Sequence, residues 1–263
     1  MESTKSLHPS TLFHFTKKAD VFFQILSEMK FKPSLAREML QGKGIGGRRN
    51  FAVPMVSFCD IRVTHLDEHT RKYGEFGLGL TKEWAERNNL HPVLYMSKES
   101  DLFSLYNKRI RTLKNKLVPL WNSRKSLNKL EQRKFERLKS EYSDLYNLLR
   151  YMKNYKGRLI QDGQLKNENF IFADEKEWRY VPEPFAGDRW PSLNLEKVKS
   201  SEQKRLLSEK FSDLNISFTF DDVKYILIPN DSYLSGVLNV VNYFDVENGH
   251  SKILTMSQVK ADF

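Results

Sequence analysis

The segment from Asp174 to Tyr180 contains three charged side chains of types that take part in catalysis, Glu175, Glu177 and Arg179. On a β-strand alternate side chains share a face, so Glu175, Glu177 and Arg179 are predicted to lie on one face, with neighbours about 7 Å apart. Two carboxylates at that spacing suit a reaction in which one stabilises developing positive charge and the other positions a nucleophile. The alternative is an exposed strand on which the charges of Glu177 and Arg179 balance.

Two earlier predicted strands carry single polar side chains among apolar neighbours. The first, residues 12–16, places His14 and Thr16 on the face opposite two phenylalanines, and the second, residues 53–61, carries Ser57. These three side chains are candidates for lining a pocket. The alternatives are a buried histidine bonded to the backbone and a strand hydroxyl satisfied by a neighbour.

A short predicted helix around residues 64–72 brings two aromatic side chains to one side. His69 and Tyr73 are four residues apart and either line the pocket or pack there. His65, Glu68 and His69 also match the H-x-x-E-H pattern of some zinc peptidases. A zinc site needs a third ligand and a longer helix, so we expect no metal here.

The chain alternates short strands and amphipathic helices, which predicts an α+β fold with a split, largely antiparallel β-sheet. Gly77 and Gly79 fall on one face of a predicted strand, so an aromatic ring or a ligand must pack closely against them. We predict one α+β core domain, residues 1–99 and 158–263 together, with residues 100–157 inserted as a basic helical hairpin.

The inserted segment carries the positive charge of the whole chain. Residues 101–160 contain 16 Lys or Arg and 5 Asp or Glu, whereas the other residues contain 27 and 28. Apolar positions recur every three or four residues, and Pro119 interrupts them, which predicts an antiparallel pair of helices over residues 102–117 and 123–155. Acidic partners are too few to neutralise the cations Arg133, Lys134, Arg137 and Lys139.

These cations predict contact with the phosphates of a nucleic acid or with an acidic partner protein through residues 101–158. The alternative is a solvated helix pair whose lysines maintain solubility. The glycine-rich loop Gly42–Arg49 also carries three cations but lacks the Lys-Ser/Thr ending of a P-loop. Its amides either hold a pyrophosphate or an RNA backbone, or the loop is simply solvated.

Composition limits the class of protein. Of the 263 residues 40% are hydrophobic and 13% aromatic, enough apolar surface for a folded core. The single cysteine, Cys59, rules out an internal disulfide and a zinc cage built from cysteines. No apolar run approaches the roughly 18 residues of a spanning helix, and residues 1–9 lack an apolar signal core. We therefore expect a cytoplasmic protein with no membrane partner.

Several motifs together resemble one known family. They are His14-Phe15-Thr16, the strand Pro54–Ile61, the segment from His69 through Gly74 and Gly77 to Ala85, and the strand Pro92–Tyr95. In order and spacing they resemble the AbiGi family of abortive phage-resistance proteins, which carries the label antitoxin. The strands around residues 175–181 and 223–229 extend the resemblance. It implies a role in phage defence and a possible cognate toxin as partner.

A looser resemblance is to the ADP-ribosyltransferase fold, in which a first strand bears His, a second Ser and a late strand Glu-x-Glu. It implies NAD as cofactor, with His14 at the adenosine-side ribose and Ser57 beside the nicotinamide ribose. Glu177 would bond the ribose 2′-OH and Glu175 would orient the acceptor, while the remaining pocket residues would be Thr16, His69, Tyr73 and Arg179. The implied activity is ADP-ribosyl transfer or NAD hydrolysis. The alternative is a non-catalytic antitoxin or regulator that binds nucleic acid or a toxin through the hairpin.

Overall fold

The computed structural model describes residues 9–44, 47–161 and 164–262. Residues 1–8 and, within the glycine-rich loop, Ile45 and Gly46 lie outside the described residues, and so do the predictions that concern them. No helix within the described ranges is long and apolar enough to cross a membrane.

The strands and helices alternate along the chain. The strands are β1 (Thr11–Thr16), β2 (Lys30–Phe31), β3 (Ser34–Gln41), β4 (Arg48–Cys59), β5 (Phe76–Thr81), β6 (His91–Pro92), β7 (Leu94–Met96), β8 (Met152–Asn154), β9 (Lys156–Gln161), β10 (Gln164–Ile171), β11 (Glu177–Tyr180), β12 (Ile216–Ser217), β13 (Val223–Ile228) and β14 (Ile253–Thr255). The helices are α1 (Ala19–Glu28), α2 (Leu66–Tyr73), α3 (Lys82–Arg87), α4 (Asp101–Asn122), α5 (Lys129–Leu149), α6 (Ser201–Glu209), α7 (Leu234–Tyr243) and α8 (Met256–Asp262).

The largest sheet has the order β14-β13-β5-β1-β4-β11-β6, and β3 pairs with the first half of β4. Its neighbours are antiparallel except for β13 and β14, which are parallel. The predicted α+β class with a mainly antiparallel sheet is therefore confirmed. The strands β5, β1 and β4 lie in the middle of this order.

The sheet opens between β1 and β4. β1 pairs with β5 along its whole length but with β4 at a single position, where Phe13 faces Cys59. Beyond that pair, His14 to Thr16 are not paired with β4, and the two strands separate. Residues of both strands line the cavity that lies there. This divergence positions the candidate site.

The two glycines of β5 make room for aromatic rings. A Cβ atom at Gly79 would lie 2.8 Å from the ring of Phe13, and one at Gly77 would lie 2.9 Å from the ring of Phe15. Of the two predicted occupants of the glycine face, an aromatic ring is the one present. Because the rings fill this space, Phe15 is held in place at the edge of the cavity.

The two helices of the hairpin begin and end at residues other than the predicted ones. Pro119 does not interrupt α4, which continues to Asn122, since proline near the end of a helix removes one N–H bond while its carbonyl still accepts from Ser123. Asn128 and Glu131 form a capping box that begins α5 at residue 129 rather than 123. The helix also ends at Leu149 and not at residue 155, because residues 152–154 form β8 and pair in parallel with β7.

The hairpin packs on the sheet through its apolar face. Phe103 and Ile110 of α4 and Tyr146 of α5 share one buried cluster with Leu40 of β3 and Val53 of β4. The predicted domain boundaries at residues 99/100 and 157/158 stay a prediction.

Candidate functional site

A cavity of about 590 Å³ lies where β1 and β4 diverge, enclosed by α1, α2, β3, β8 and the segment before β11. Its lining includes seven of the side chains predicted from the sequence, which span more than 160 residues of the chain: His14, Thr16, Ser57, His69, Tyr73, Glu175 and Glu177. Strand alternation and helical spacing account for the selection of six of them, whereas Glu175 reaches the cavity from a 3₁₀ turn.

Glu177 is the most constrained group in the cavity wall. Its Oε1 accepts from the Ser57 hydroxyl at 2.8 Å and from Arg179 Nε at 2.8 Å. Its Oε2 accepts from Lys153 Nζ at 2.8 Å and Arg179 Nη2 at 3.1 Å. Burial alone would raise the pKa of this carboxyl, but Arg179 and Lys153 outweigh burial and hold the pKa well below its usual range. Glu177 is therefore an ionised carboxylate held by four donors.

Glu175 reaches the cavity by a different route from the one predicted. The prediction that Glu175 lies on the same strand as Glu177 and Arg179 is wrong, because β10 ends at Ile171 and a 3₁₀ turn follows over Phe172–Glu175. Lys176 then adopts a left-handed conformation, with φ 42°, before β11 begins. Glu175 and Glu177 thus do not share a strand face, although both carboxylates line the cavity.

Tyr73 and Lys153 hold Glu175. The Tyr73 hydroxyl donates to Oε1 of Glu175, and Lys153 Nζ lies 2.7 Å from Oε2. Burial, followed by the charge of Glu175, raises the pKa of Tyr73, so the phenol keeps its proton and remains a donor. Both oxygens of Glu175 therefore have a partner.

Lys153 is the residue that sequence reasoning missed. It bridges the two carboxylates with 17% of its side chain exposed, and its ammonium lies 4.9 Å from the centre of the Phe172 ring. Burial would lower its pKa, but the carboxylates of Glu177 and Glu175 outweigh this effect and raise it. The sequence carries no strand signal here, because Met152 is followed by two polar residues, and β8 forms only through its pairing with β7.

Arg179 lies behind the cavity wall and is fully buried, outside the set of lining residues. It donates to both oxygens of Glu177, to Glu38 of β3 and, at 2.8 Å, to the carbonyl of Arg150. Burial would lower the pKa of Arg179, but Glu177 and Glu38 raise it. The guanidinium thus fixes the position of Glu177.

Two histidines in the lining are neutral near pH 7. Nδ1 of His14 lies 2.9 Å from the carbonyl oxygen of Ser57, which can only accept, so Nδ1 carries the proton. Burial lowers the pKa of His14, an effect that this hydrogen bond only partly offsets. Burial, followed by the charge of Lys72, lowers the pKa of His69 to about 4. His69 packs against Tyr73, with ring centres 4.6 Å apart.

Two cations also line the cavity. Arg37 of β3 and Lys204 of α6 belong to the lining, and within the described part of the chain neither forms an ion pair with a carboxylate. Arg37 donates to the carbonyl of Lys199 at 2.8 Å, and its charge, after burial, lowers the pKa of Lys204. The lining therefore combines a carboxylate pair with two cations that have no carboxylate partner.

His65, Glu68 and His69 of the H-x-x-E-H pattern all line a second cavity, of about 440 Å³. His65 ends a 3₁₀ turn before α2, while His69 projects from α2 and also lines the first cavity. Over residues 9–44, 47–161 and 164–262, no group of three or more His, Cys, Asp or Glu side chains could hold a metal ion.

The sequence matches the family described as "Putative abortive phage resistance protein AbiGi, antitoxin" over residues 42–229, more than half of the chain. The chain belongs to the AbiGi family. A relative, the abortive phage resistance protein AbiGi of Lactococcus lactis subsp. cremoris, is 28% identical over 203 residues, covering 71% of this chain and 75% of the relative. No solved structure matches the chain, so the resemblance to ADP-ribosyltransferases stays a prediction.

The AbiGi match includes the residues around the carboxylate pair. Ser57, Tyr73, Lys153, Glu175 and Glu177 all lie within residues 42–229, whereas β1 with His14 and Thr16 precedes the matched region.

The predicted cations of the hairpin lie along α5. Arg133 and Lys134 are exposed and form no ion pair among the described residues. Arg137 does have a partner, contrary to the prediction, because its Nε lies 4.0 Å from Glu141 one helical turn later. Lys139 lies over the rings of Phe135 and Phe185. Of the four predicted cations, Arg137 and Lys139 therefore contact other side chains of the protein, whereas Arg133 and Lys134 form no ion pair among the described residues.

Proposed function

We propose that this AbiGi-family chain is a phage-defence enzyme that binds NAD in the cavity and cleaves its nicotinamide–ribose bond. The ADP-ribose then passes to a protein or nucleic-acid acceptor, or to water. The observation that carries the proposal is the convergence of seven predicted side chains, including both glutamates, on one cavity of about 590 Å³. That volume lies within the range of about 300–1,000 Å³ typical of small-molecule sites.

The lining suits the parts of a dinucleotide. Phe31 and Phe58 lie beside His14, with ring centres 5.0 and 5.5 Å away, and offer an apolar surface to a base or ribose. Arg37 and Lys204 supply positive charge for a pyrophosphate. Thr16 adds a hydroxyl beside His14, which we assign to the adenosine-side ribose.

Glu177 is the group we assign to the cleavage step. The C1′–N bond breaks, its electron pair leaves with nicotinamide, and positive charge develops on the ribose. A carboxylate fixed by Arg179 stabilises that charge without reorganising. The Ser57 hydroxyl is the neutral donor bound to Glu177, so a ribose hydroxyl can replace it without changing the charge around the carboxylate.

Glu175 is assigned to the acceptor. Lys153 donates to both Glu175 and Glu177 and so keeps the two carboxylates close together. The Tyr73 hydroxyl orients Glu175. A carboxylate there accepts a hydrogen bond from the incoming nucleophile and holds it against the ribose.

The test is nicotinamide release from labelled NAD by the purified chain, with protein and RNA offered as acceptors. We expect Glu177→Gln to lower turnover about 10²–10³-fold, as removal of other preorganised electrostatic groups does. Glu38→Gln is the matched control, because it also takes a carboxylate from Arg179 but leaves Glu177 in place. Absence of nicotinamide release by the wild type, together with no rise of its melting temperature on adding NAD, would overturn the proposal.

A second candidate is neutralisation of a cognate toxin, favoured by the word antitoxin in the family description. The exposed cations of α5, Arg133 and Lys134, would meet an acidic surface of that toxin. Binding of the purified chain to a purified candidate toxin, measured over a salt series, tests this. Because salt screens exposed charge pairs, the affinity should fall as the salt concentration rises, and an affinity independent of salt would contradict this assignment of Arg133 and Lys134.

A further inference from the structure

Four cations meet where the start of β4 crosses α4, away from the cavity described above. Arg48 and Arg49 begin β4, and Arg111 and Lys114 lie one turn apart on α4. Arg48 and Arg111 are exposed, whereas Arg49 and Lys114 are half-buried. We call these four residues the β4–α4 cluster.

Neutral groups hold two of the guanidinium groups of the cluster, those of Arg49 and Arg111. Arg111 Nη2 donates to the carbonyl oxygen of Arg48 at 2.5 Å, and Arg49 Nη1 donates to Oδ1 of Asn107 at 3.0 Å. The Arg49 guanidinium also lies 5.8 Å from the centre of the Tyr146 ring. A backbone carbonyl, an amide and an aromatic ring, and not carboxylates, therefore position Arg111 and Arg49.

No carboxylate compensates them. Among the residues that the structure describes, none of the four forms an ion pair with Asp or Glu. By contrast, Lys30 and Lys32 share Glu28. Burial, followed by the charges of Arg49 and Arg111, lowers the pKa of Lys114, as expected where like charges are packed together.

We infer that the β4–α4 cluster binds the phosphate backbone of a nucleic acid. Guanidinium groups match phosphate geometry with two parallel N–H bonds, and three of the four cations are arginines. The charge also continues along one side of the helix, because Lys108, Arg111 and Lys114 follow one another at intervals of three residues. A continuous row of cations fits a polymer of phosphates better than the mixed charges of a protein surface. This inference does not depend on NAD cleavage.

The test measures binding of the full chain to a fluorescein-labelled single-stranded RNA of about 20 nucleotides between about 50 and 200 mM salt, with duplex DNA as a second arm. We expect the double variant Arg111→Gln/Lys114→Gln to bind at least about tenfold more weakly at low salt. The slope of log K against log salt should also fall by about 1–2, since two phosphate contacts are removed. Lys210→Gln/Lys224→Gln, at two exposed positions outside α4, α5 and the cavity, removes the same charge and should bind within about threefold of the wild type.

Far-UV circular dichroism and melting temperature establish that both double variants are folded. Equal losses in the two double variants would mean that net charge and not this cluster binds RNA, and would overturn the inference. Failure of the wild type to bind RNA or DNA at the lowest salt would also overturn it. So would displacement of the RNA by poly-glutamate of equal charge, because that result assigns the surface to an acidic protein.

Discussion

The ammonium group of Lys153 lies 2.8 Å from Oε2 of Glu177, although β9 and β10 separate the two residues along the chain. The same ammonium lies 2.7 Å from Oε2 of Glu175. Lys153, from the strand after the basic hairpin, thus forms an ion pair with each of two nearly buried carboxylates.

Replacing Lys153 tests how much this arrangement contributes. In Lys153→Met the two glutamates would face each other in a buried wall without their shared cation. We expect the free energy of unfolding to fall by about 3–5 kcal/mol, the usual cost of removing one partner of a buried ion pair. Urea denaturation at pH 7 measures it.

The control for that experiment is Lys32→Met. Lys32 pairs with Glu28 at an exposed position, with 38% of its side chain accessible, and exposed pairs contribute little. Similar losses in the two variants would contradict the role assigned to Lys153.

Stability should depend on pH through His69. The pKa of its folded form is about 4, below its ordinary value of 6.5, so the unfolded chain takes up the proton first as the pH falls. The His69 contribution is complete above pH 6.5 and is lost between pH 6.5 and 4, by up to about 3 kcal/mol. Urea denaturation of wild type and His69→Gln at several pH values measures it.

The two denaturation series should run parallel above pH 6.5 and converge below it. The variant keeps part of the acid sensitivity, because the pKa of His14 is also lowered. An unchanged slope in His69→Gln between pH 6.5 and 4 would contradict the prediction.

Glu175→Gln should separate transfer from hydrolysis. Because Glu175 is assigned to the acceptor and Glu177 to bond cleavage, we expect the variant to keep nicotinamide release within about tenfold. The fraction of ADP-ribose found on acceptor should fall instead. The measurement is the ratio of labelled acceptor to free ADP-ribose, and a parallel loss of both products would count against the division of roles.

Gly77→Ala should be destabilising. Its Cβ would lie 2.9 Å from the Phe15 ring on one side and 3.1 Å from Leu227 on the other, so neither neighbour can move freely. We expect a loss of about 1–3 kcal/mol in thermal or urea unfolding. Gly157→Ala is the control, because its Cβ would come no closer than 3.3 Å to the flexible end of Lys98 and to the Phe172 ring, and equal losses would refute the packing argument.

The side chains of the site were predictable where local periodicity decides their direction. His14 and Ser57 follow from strand alternation, and Tyr73 follows from its helical spacing to His69. Glu177 was found for the same reason, since β11 is a regular strand. Convergence on a single cavity was not derivable, because it depends on the pairing of strands far apart in sequence.

Lys153 and Glu175 show where local reasoning ends. The segment from Tyr151 to Asn154 continues an apolar pattern that a helix satisfies equally well, and only the pairing of β8 with β7 makes it a strand. Glu175 leaves the strand pattern because Lys176 adopts a positive φ, which nothing in the sequence signals. Tertiary contacts decided both.

Because β1, β4 and β5 lie in the middle of the sheet, their edges stay unpaired for part of the synthesis of the chain. These strands are complete by residue 81, but their outer partners, β11 and β13, begin only at Glu177 and Val223. A nascent chain of intermediate length therefore presents unpaired strand edges, which favour association with other chains. It also lacks Glu177, so a prematurely terminated product would be prone to aggregate and would carry an incomplete site.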